Sequence, residues 1–201
     1  MLALFGYKIH STARIGLSLV YPDHLVMGAG ARIGSLSVCK GLTLLEMGEQ
    51  SRIGNLNWIS GFPAANKAFF ASEPDRHPQL VIGEHSAITN RHLIDCTNSV
   101  HIGRFTTFAG FRSQILTHSI DLYRSCQSSK PVTIGDYCFV GTSSVLLGGS
   151  ALPNFSILAA NSLLNKPYSE TYQVYAGNPA KPVKSLPQDM TYFRRSEGYV
   201  H

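Results

Sequence analysis

The sequence predicts an all-β chain wound as a prism of short parallel strands, and three observations carry that prediction. Aliphatic residues recur every six positions: steps of six from Ile134 reach Val140, Leu146, Leu152, Leu158 and Leu164. A small residue recurs four positions after the first five of these, at Cys138, Ser144, Ser150, Ser156 and Ser162. Glycine often follows the aliphatic position, as at Gly16, Gly34, Gly48, Gly54, Gly83, Gly103, Gly135 and Gly141. A helix does not generate a six-residue period with one large and one small slot. In a prism, each six-residue unit makes one flat face and one corner. The aliphatic residue points inward, the small one fits the tight corner, and Gly or Asn is expected where the turn dihedrals resist branched residues. Stacked coils pair with the coil above and below, so only the end coils leave open edges.

Taken in chain order, Ile9 and Ile15 begin a first run with Ala13 in the small slot. Met47, Ile53 and Ile59 form another, with Ser51 and Asn57 small. Residues 61–79 then leave the pattern, with three prolines and three phenylalanines, and are expected to extrude as a loop. Phe62, Phe69 and Phe70 argue against simple disorder; a functional role and a purely anchoring role are both open. The ladder returns at Ile82, Ile88, Ile94 and Val100, and restarts two residues later at Ile102 and Phe108. A second break is expected over residues 114–131, with His118 near its start. After the last repeat comes VYAGNPAKPVKSL, residues 174–186, and then a tail or short helix. The division is therefore one domain over 1–185 and a tail over 186–201.

Composition limits the function classes. Hydrophobic residues make up 44% and charged residues 14% of the 201, enough apolar material for a packed core. The net charge of +5 suits anionic partners or simple solubility, and no Lys/Arg run with interleaved aromatics points to nucleic acid. No stretch is apolar for long enough to span a bilayer, and the start MLALFGYKIH lacks the basic region that opens a signal peptide. Cys39, Cys96, Cys126 and Cys138 show no CxxC spacing, so free thiols and a cytoplasmic location are expected.

The repeats, the interrupted run ILTHSID, the coil CFVGTSSVLLGG, the segment AANSLLNK and the closing YAGNPAK together resemble the hexapeptide-repeat acyltransferases. The likeness is to galactoside and maltose O-acetyltransferases and related polysaccharide-modifying enzymes, and the motifs span roughly residues 80–185. The resemblance implies a left-handed parallel β-helix, a hand that general chirality rules would not predict. It further implies transfer of an acetyl group from acetyl-CoA to a carbohydrate hydroxyl, without a metal, in a homotrimer whose active sites lie between subunits. Ser119 stands where the small-sugar enzymes carry Pro, Phe139 where Trp is common, and repeats occupy their helical N-terminal region. That pattern is closer to enzymes of exopolysaccharide, capsule or lipopolysaccharide decoration.

Such a transfer needs a base for the poorly nucleophilic alcohol and a donor for the tetrahedral oxyanion. The resemblance gives the first role to His118 and places the second near Thr142 and Ser143. A structural histidine bonded to a backbone carbonyl is the alternative for His118. Asp121 either orients the imidazole or is a solvated loop residue. Along the cofactor groove the resemblance places Ala160, Ser162, Lys166, Lys181 and Lys184. Asn90, Arg91, His92 and Asp95, one coil earlier, are the acceptor-side candidates. Two other function classes compete. A non-catalytic scaffold explains the repeats but not the motifs. A β-helix zinc enzyme needs three convergent histidines, two of them spaced HxxxxH, and neither Ser113 nor Tyr123 supplies the second.

Overall fold

A computed structural model of the chain describes residues 6–66 and 69–200. The apolar start at residues 1–5, and residues 67–68 of the first expected loop, lie outside it. Three parallel sheets form the faces of a prism. The first face has seven strands: Lys8–Ile9, His24–Met27, Leu44–Met47, Gln79–Ile82, Val100–Ile102, Val132–Ile134 and Ala151–Leu152. The second stacks Arg14–Ile15, Arg32–Ile33, Arg52–Ile53, Ala87–Ile88, Thr107–Phe108, Phe139–Val140, Ile157–Leu158 and Gln173–Ala176. The third stacks Leu19–Tyr21, Val38–Lys40, Trp58–Ser60, Leu93–Asp95, Gln114–Leu116, Val145–Leu147 and Leu163–Leu164.

The six-residue period is the distance from one face to the next. Ile134, Val140 and Leu146 sit on the first, second and third faces of one coil, and Leu152, Leu158 and Leu164 on those of the next. Each pairs in register with its counterpart, Ile134 with Leu152, Val140 with Leu158 and Leu146 with Leu164. All six are at most 1% exposed, so the ladder is the core. The small slots are equally buried, from Cys138 through Ser162. The shift of two at Ile102 has a local cause. Val100 pairs with Leu80 and Ile102 with Ile82, so both are inward, and the corner preceding them is longer.

The glycines act differently from expectation. Those that follow the aliphatic position do not adopt positive φ. They make room: a Cβ on Gly83 would sit 2.5 Å from Arg104 N, and one on Gly141 would sit 2.5 Å from Ala160 N. The left-handed corner positions instead carry Leu36, Leu56, Arg91 and Arg112 on one edge, and His85, Phe105, Tyr137, Phe155 and Tyr172 on another. Left-handed backbone costs a non-glycine residue roughly 1–2 kcal/mol. On the second of these edges the rings stack, with centroids 4.8–5.4 Å apart. Such pairs contribute about 0.5–1.5 kcal/mol each and offset the strain.

The C-terminus closes the last coil. Lys181–Ser185 pairs antiparallel with Gln173–Ala176, and the 3₁₀ turn Thr191–Arg194 lays Phe193 against Phe155 and Tyr172. The four cysteines are free thiols. No helix among the described residues is long and apolar enough to cross a membrane.

Phe108, 0% exposed at the centre of the second face, tests the ladder. Phe108→Ala is expected to lower unfolding free energy by about 3–5 kcal/mol, measured by urea denaturation. Tyr123→Ala, at a fully exposed turn, is expected to change it by under about 0.5 kcal/mol.

Candidate active site

Two excursions leave the prism at the edge joining the third face to the first. The first, expected over 61–79, follows Trp58–Ser60 and ends before Gln79, which opens the first-face strand Gln79–Ile82. The second is narrower than expected, because Gln114–Leu116 remains in the third face, paired with Leu93–Asp95 and Val145–Leu147. The excursion proper is a hairpin of His118–Asp121 and Cys126–Ser129. His118 is thus the first residue off the ladder, pinned at the root of the hairpin opposite Ser129.

Asp95, at the end of its strand one coil below, pairs in register with Leu116. That register places its carboxylate under the next two residues. Oδ2 accepts from Thr117 N at 2.8 Å, Thr117 Oγ1 at 2.7 Å, His118 N at 3.0 Å and His118 Nδ1 at 2.8 Å. Oδ1 accepts from Thr97 N at 3.1 Å and Thr97 Oγ1 at 2.6 Å. Burial pushes the carboxyl up, and the bonds from His118, Thr97 and Thr117 with the charge of His118 more than reverse it, to about 2. The carboxylate accepts the Nδ1 proton, so neutral His118 is the Nδ1–H tautomer and Nε2 keeps its lone pair. The bond to Asp95 raises the His118 pKa above 6.5, against the opposing effects of burial and of Arg76.

His118 lines a cavity of ≈ 360 Å³ with Thr117, Ser119, Ser128, Ser129, Lys130, Gly148 and Asn165. Phe62 and Phe70 from the first excursion meet the imidazole edge-on, with centroids 5.5 and 6.3 Å away. A structural histidine held by a backbone carbonyl is therefore not what the geometry shows; the ring is held by a carboxylate beside a polar cavity.

The other sequence candidates scatter. Asp95 was expected to touch the acceptor and instead anchors His118, the role held open for Asp121. Asp121 accepts from the main chain of Tyr123 and Arg124 and shapes the hairpin turn. His92 is 2% exposed inside the second-to-third corner, bonded to Thr89 Oγ1 and Ser113 N, with burial lowering its pKa to about 4. Asn90 and Arg91 occupy the same corner: Asn90 Oδ1 accepts from Asn55 N, and Arg91 takes a left-handed turn position. None of these three reaches the His118 edge within the chain. Thr142 and Ser143 also lie on the second-to-third edge, exposed, with Thr142 Oγ1 and Ser143 N bonded to the Phe111 main chain. Ala160 is exposed on that edge, whereas Ser162 fills the interior slot and accepts from Gly177 N. Lys166 follows Leu163–Leu164 on the His118 edge beside Asn165, and Lys181 and Lys184 lie on the C-terminal strand. Sequence reasoning missed Arg76, Glu73, Lys130 and Asn165; the first two lie in an aperiodic loop that carries no register signal.

His85, His92 and His101 sit on different sides of the prism, stacked on Phe105, inside a corner and on the first face respectively. Among the described residues no cluster of three or more His, Cys, Asp or Glu could hold a metal ion.

The fold is a left-handed parallel β-helix, shared with solved structures of hexapeptide-repeat acetyltransferases. The chain is similar to a hexapeptide-repeat-containing acetyltransferase from Vibrio cholerae, with TM-score 0.59 and 22% identity over 71% of this chain and 74% of that one. The same enzyme complexed with acetyl coenzyme A matches at TM-score 0.58 and 22% identity, over 71% of each chain. A polysialic acid O-acetyltransferase matches at TM-score 0.63 and 16% identity, over 92% of this chain and 90% of that one. No family model and no curated protein sequence matches the chain.

The Asp95–His118 pair makes stability depend on pH in a definite sense. The Asp95 contribution is present above its ordinary value of 3.8 and is lost as pH falls through about 2. The contribution from protonated His118 is complete below 6.5 and is lost as pH rises through its raised value. Asp95→Asn is therefore expected to cost most between about pH 4 and 6.5, and less at pH 2 and pH 9. Urea unfolding of both proteins across that range measures it; a pH-independent difference would contradict the pairing.

Proposed function

We propose that the protein is an acetyl-CoA-dependent O-acetyltransferase acting on a hydroxyl of a sugar or polysaccharide, with His118 as general base. One observation carries the reading: an imidazole fixed by a carboxylate through Nδ1, with Nε2 bonded to none of the described residues, lines a polar cavity. The acetyl-CoA complex of one solved neighbour and the polysialic acid O-acetyltransferase activity of another support donor and reaction class. In this reading Nε2 takes the hydroxyl proton as the oxygen attacks the thioester carbon. The carbon–sulfur bond then breaks, and the proton returns from Nε2 to the departing thiolate. Asp95 stays ionised and stabilises the transient imidazolium. Acetyl-CoA is a co-substrate, and no metal is needed for any of these steps.

The assembly we propose is a homotrimer. Third-face side chains in one register, Leu19, Val38, Trp58 and Leu93, point outward and form an apolar stripe. This stripe lies between the His118 edge and the edge bearing Thr142, Ser143 and Ala160. A neighbouring prism against this face brings one subunit's His118 towards the other's second-to-third edge. There the main-chain N–H of Thr142 or the hydroxyl of Ser143, rather than the groups bonded to Phe111, would serve the acyl oxygen and Ala160 the pantetheine arm, with Lys181 and Lys184, and Lys166 from the His118 edge, offered to the cofactor's phosphates. The acceptor side falls to the hydroxyl and amide groups of Ser119, Ser128 and Asn165, on the cavity wall.

His118→Ala is expected to bind acetyl-CoA normally by calorimetry and to lose turnover by about 10²–10⁴. In the wild type, kcat/KM for acetyl transfer to oligosaccharide acceptors should rise with pH along an acid limb centred above 6.5, because the base must be neutral. Turnover by His118→Ala near the wild-type rate would refute the assignment.

A further inference from the structure

We infer that Arg76 is a positioning residue, which clamps the first excursion over His118 and sets the electrostatic balance around its ring. The inference rests on the reading of His118 as the base. Arg76 is 6% exposed. Its Nη1 donates to Phe62 O at 2.6 Å and Thr97 O at 2.7 Å, and its Nη2 to Pro63 O at 3.0 Å. Two of these carbonyls belong to the excursion and the third to the prism, so one planar fork bolts the loop to the coil. The guanidinium also lies 4.2 Å from the centre of the Phe70 ring, and Phe70 and Phe62 pack on each other at 5.5 Å.

Both arms of this clamp end at His118. Through the carbonyls and Phe70, Arg76 holds the two rings that stand edge-on to the imidazole. Through Thr97 it reaches Asp95, because the residue whose carbonyl Arg76 binds also gives its N–H and hydroxyl to Asp95 Oδ1. Glu73 joins the excursion to the hairpin by accepting from Ser129 N at 2.8 Å and from Ser129 Oγ, and Ser129 is the register partner of His118. Losing the fork removes the donor to Phe62 O and Thr97 O, whereas Pro63 O keeps Asn66 N at 3.0 Å. Lysine offers one ammonium point rather than a planar fork and cannot satisfy this arrangement.

The charged groups around the imidazole are few. Asp95 faces Nδ1 from the coil below. The excursion adds the charges of Arg76, packed on Phe70, and Glu73, bonded to Ser129, and Lys130 lines the cavity beside the ring. Asp95 stabilises the imidazolium, and Arg76 opposes it. The balance keeps the base close enough to neutrality to work while the carboxylate fixes its orientation.

The test is a histidine-selective NMR titration of the full chain without substrate, on wild type, Arg76→Met and Arg76→Lys, with diethyl pyrocarbonate modification of His118 as a second readout. Arg76→Met is expected to raise the His118 midpoint and to speed its modification several-fold. Arg76→Lys keeps the charge, so its midpoint should stay near wild type while modification accelerates. A His118 midpoint that stays or falls in folded Arg76→Met overturns the electrostatic role. A ring as protected in Arg76→Lys as in wild type overturns the clamp. Should Arg76→Met not fold, Arg76→Gln replaces it with the same expected direction. Because the titration uses no substrate, it stands apart from the base assignment, which falls instead if His118→Ala retains turnover.

Discussion

The prism admits one or two large inward side chains per face of each coil, at a register fixed by backbone pairing with the coils above and below. Everything else follows from that constraint. A position one residue beyond the inward one is already at a corner, and a polar group there faces outward or sits beneath the next coil. Asp95 follows inward Ile94, and Leu116 follows inward Ile115, so the two pair in register. The carboxylate therefore lies directly below the chain as it leaves Leu116, where Thr117 and His118 present two successive N–H groups. The ladder that builds the core also delivers Asp95 to His118.

A buried carboxylate is tolerable only when its lone pairs are filled. Asp95 accepts from six donors, of which Thr97 and Thr117 supply four. Those four do not change when His118 gains or loses a proton. The anchor is thus independent of the charge it stabilises, and the imidazole can cycle between neutral and charged forms without the corner rearranging. An aspartate held by the histidine alone would not have this property, because each proton transfer would alter the acid's own solvation.

The repeating part of the fold was legible because period and register are the same fact seen along the chain and across it. Met47, Ile53, Ile59 and the later aliphatic positions could be placed on faces from spacing alone. The glycines were misread in mechanism: they accommodate the close approach of the adjacent coil, and the left-handed corners are filled by Leu, Arg and stacked aromatic residues. At the site His118 was legible as the point where spacing fails. Asp95, His92 and Asn90 lie within six residues of each other, and their roles depend on which corner each occupies. Asn90 and His92 fall between the second and third faces and Asp95 between the third and first, a difference that spacing shows without saying which corner holds His118. Arg76 and Glu73 were illegible because an aperiodic loop carries no register.

That the loop could nonetheless be recruited follows from topology. Both excursions leave the prism after a third-face strand, Trp58–Ser60 for one and Gln114–Leu116 for the other, and so emerge at one edge on nearby coils. Glu73 and Ser129 are 56 residues apart in sequence, yet the solenoid has already placed the roots of their loops close together. Closing either loop costs little more entropy as it lengthens, since the cost grows only with the logarithm of its length. Large insertions at this edge are therefore cheap for the fold, and each one lands beside His118. A prism with a fixed imidazole and a variable rim can change what reaches that imidazole without disturbing the ladder that holds it.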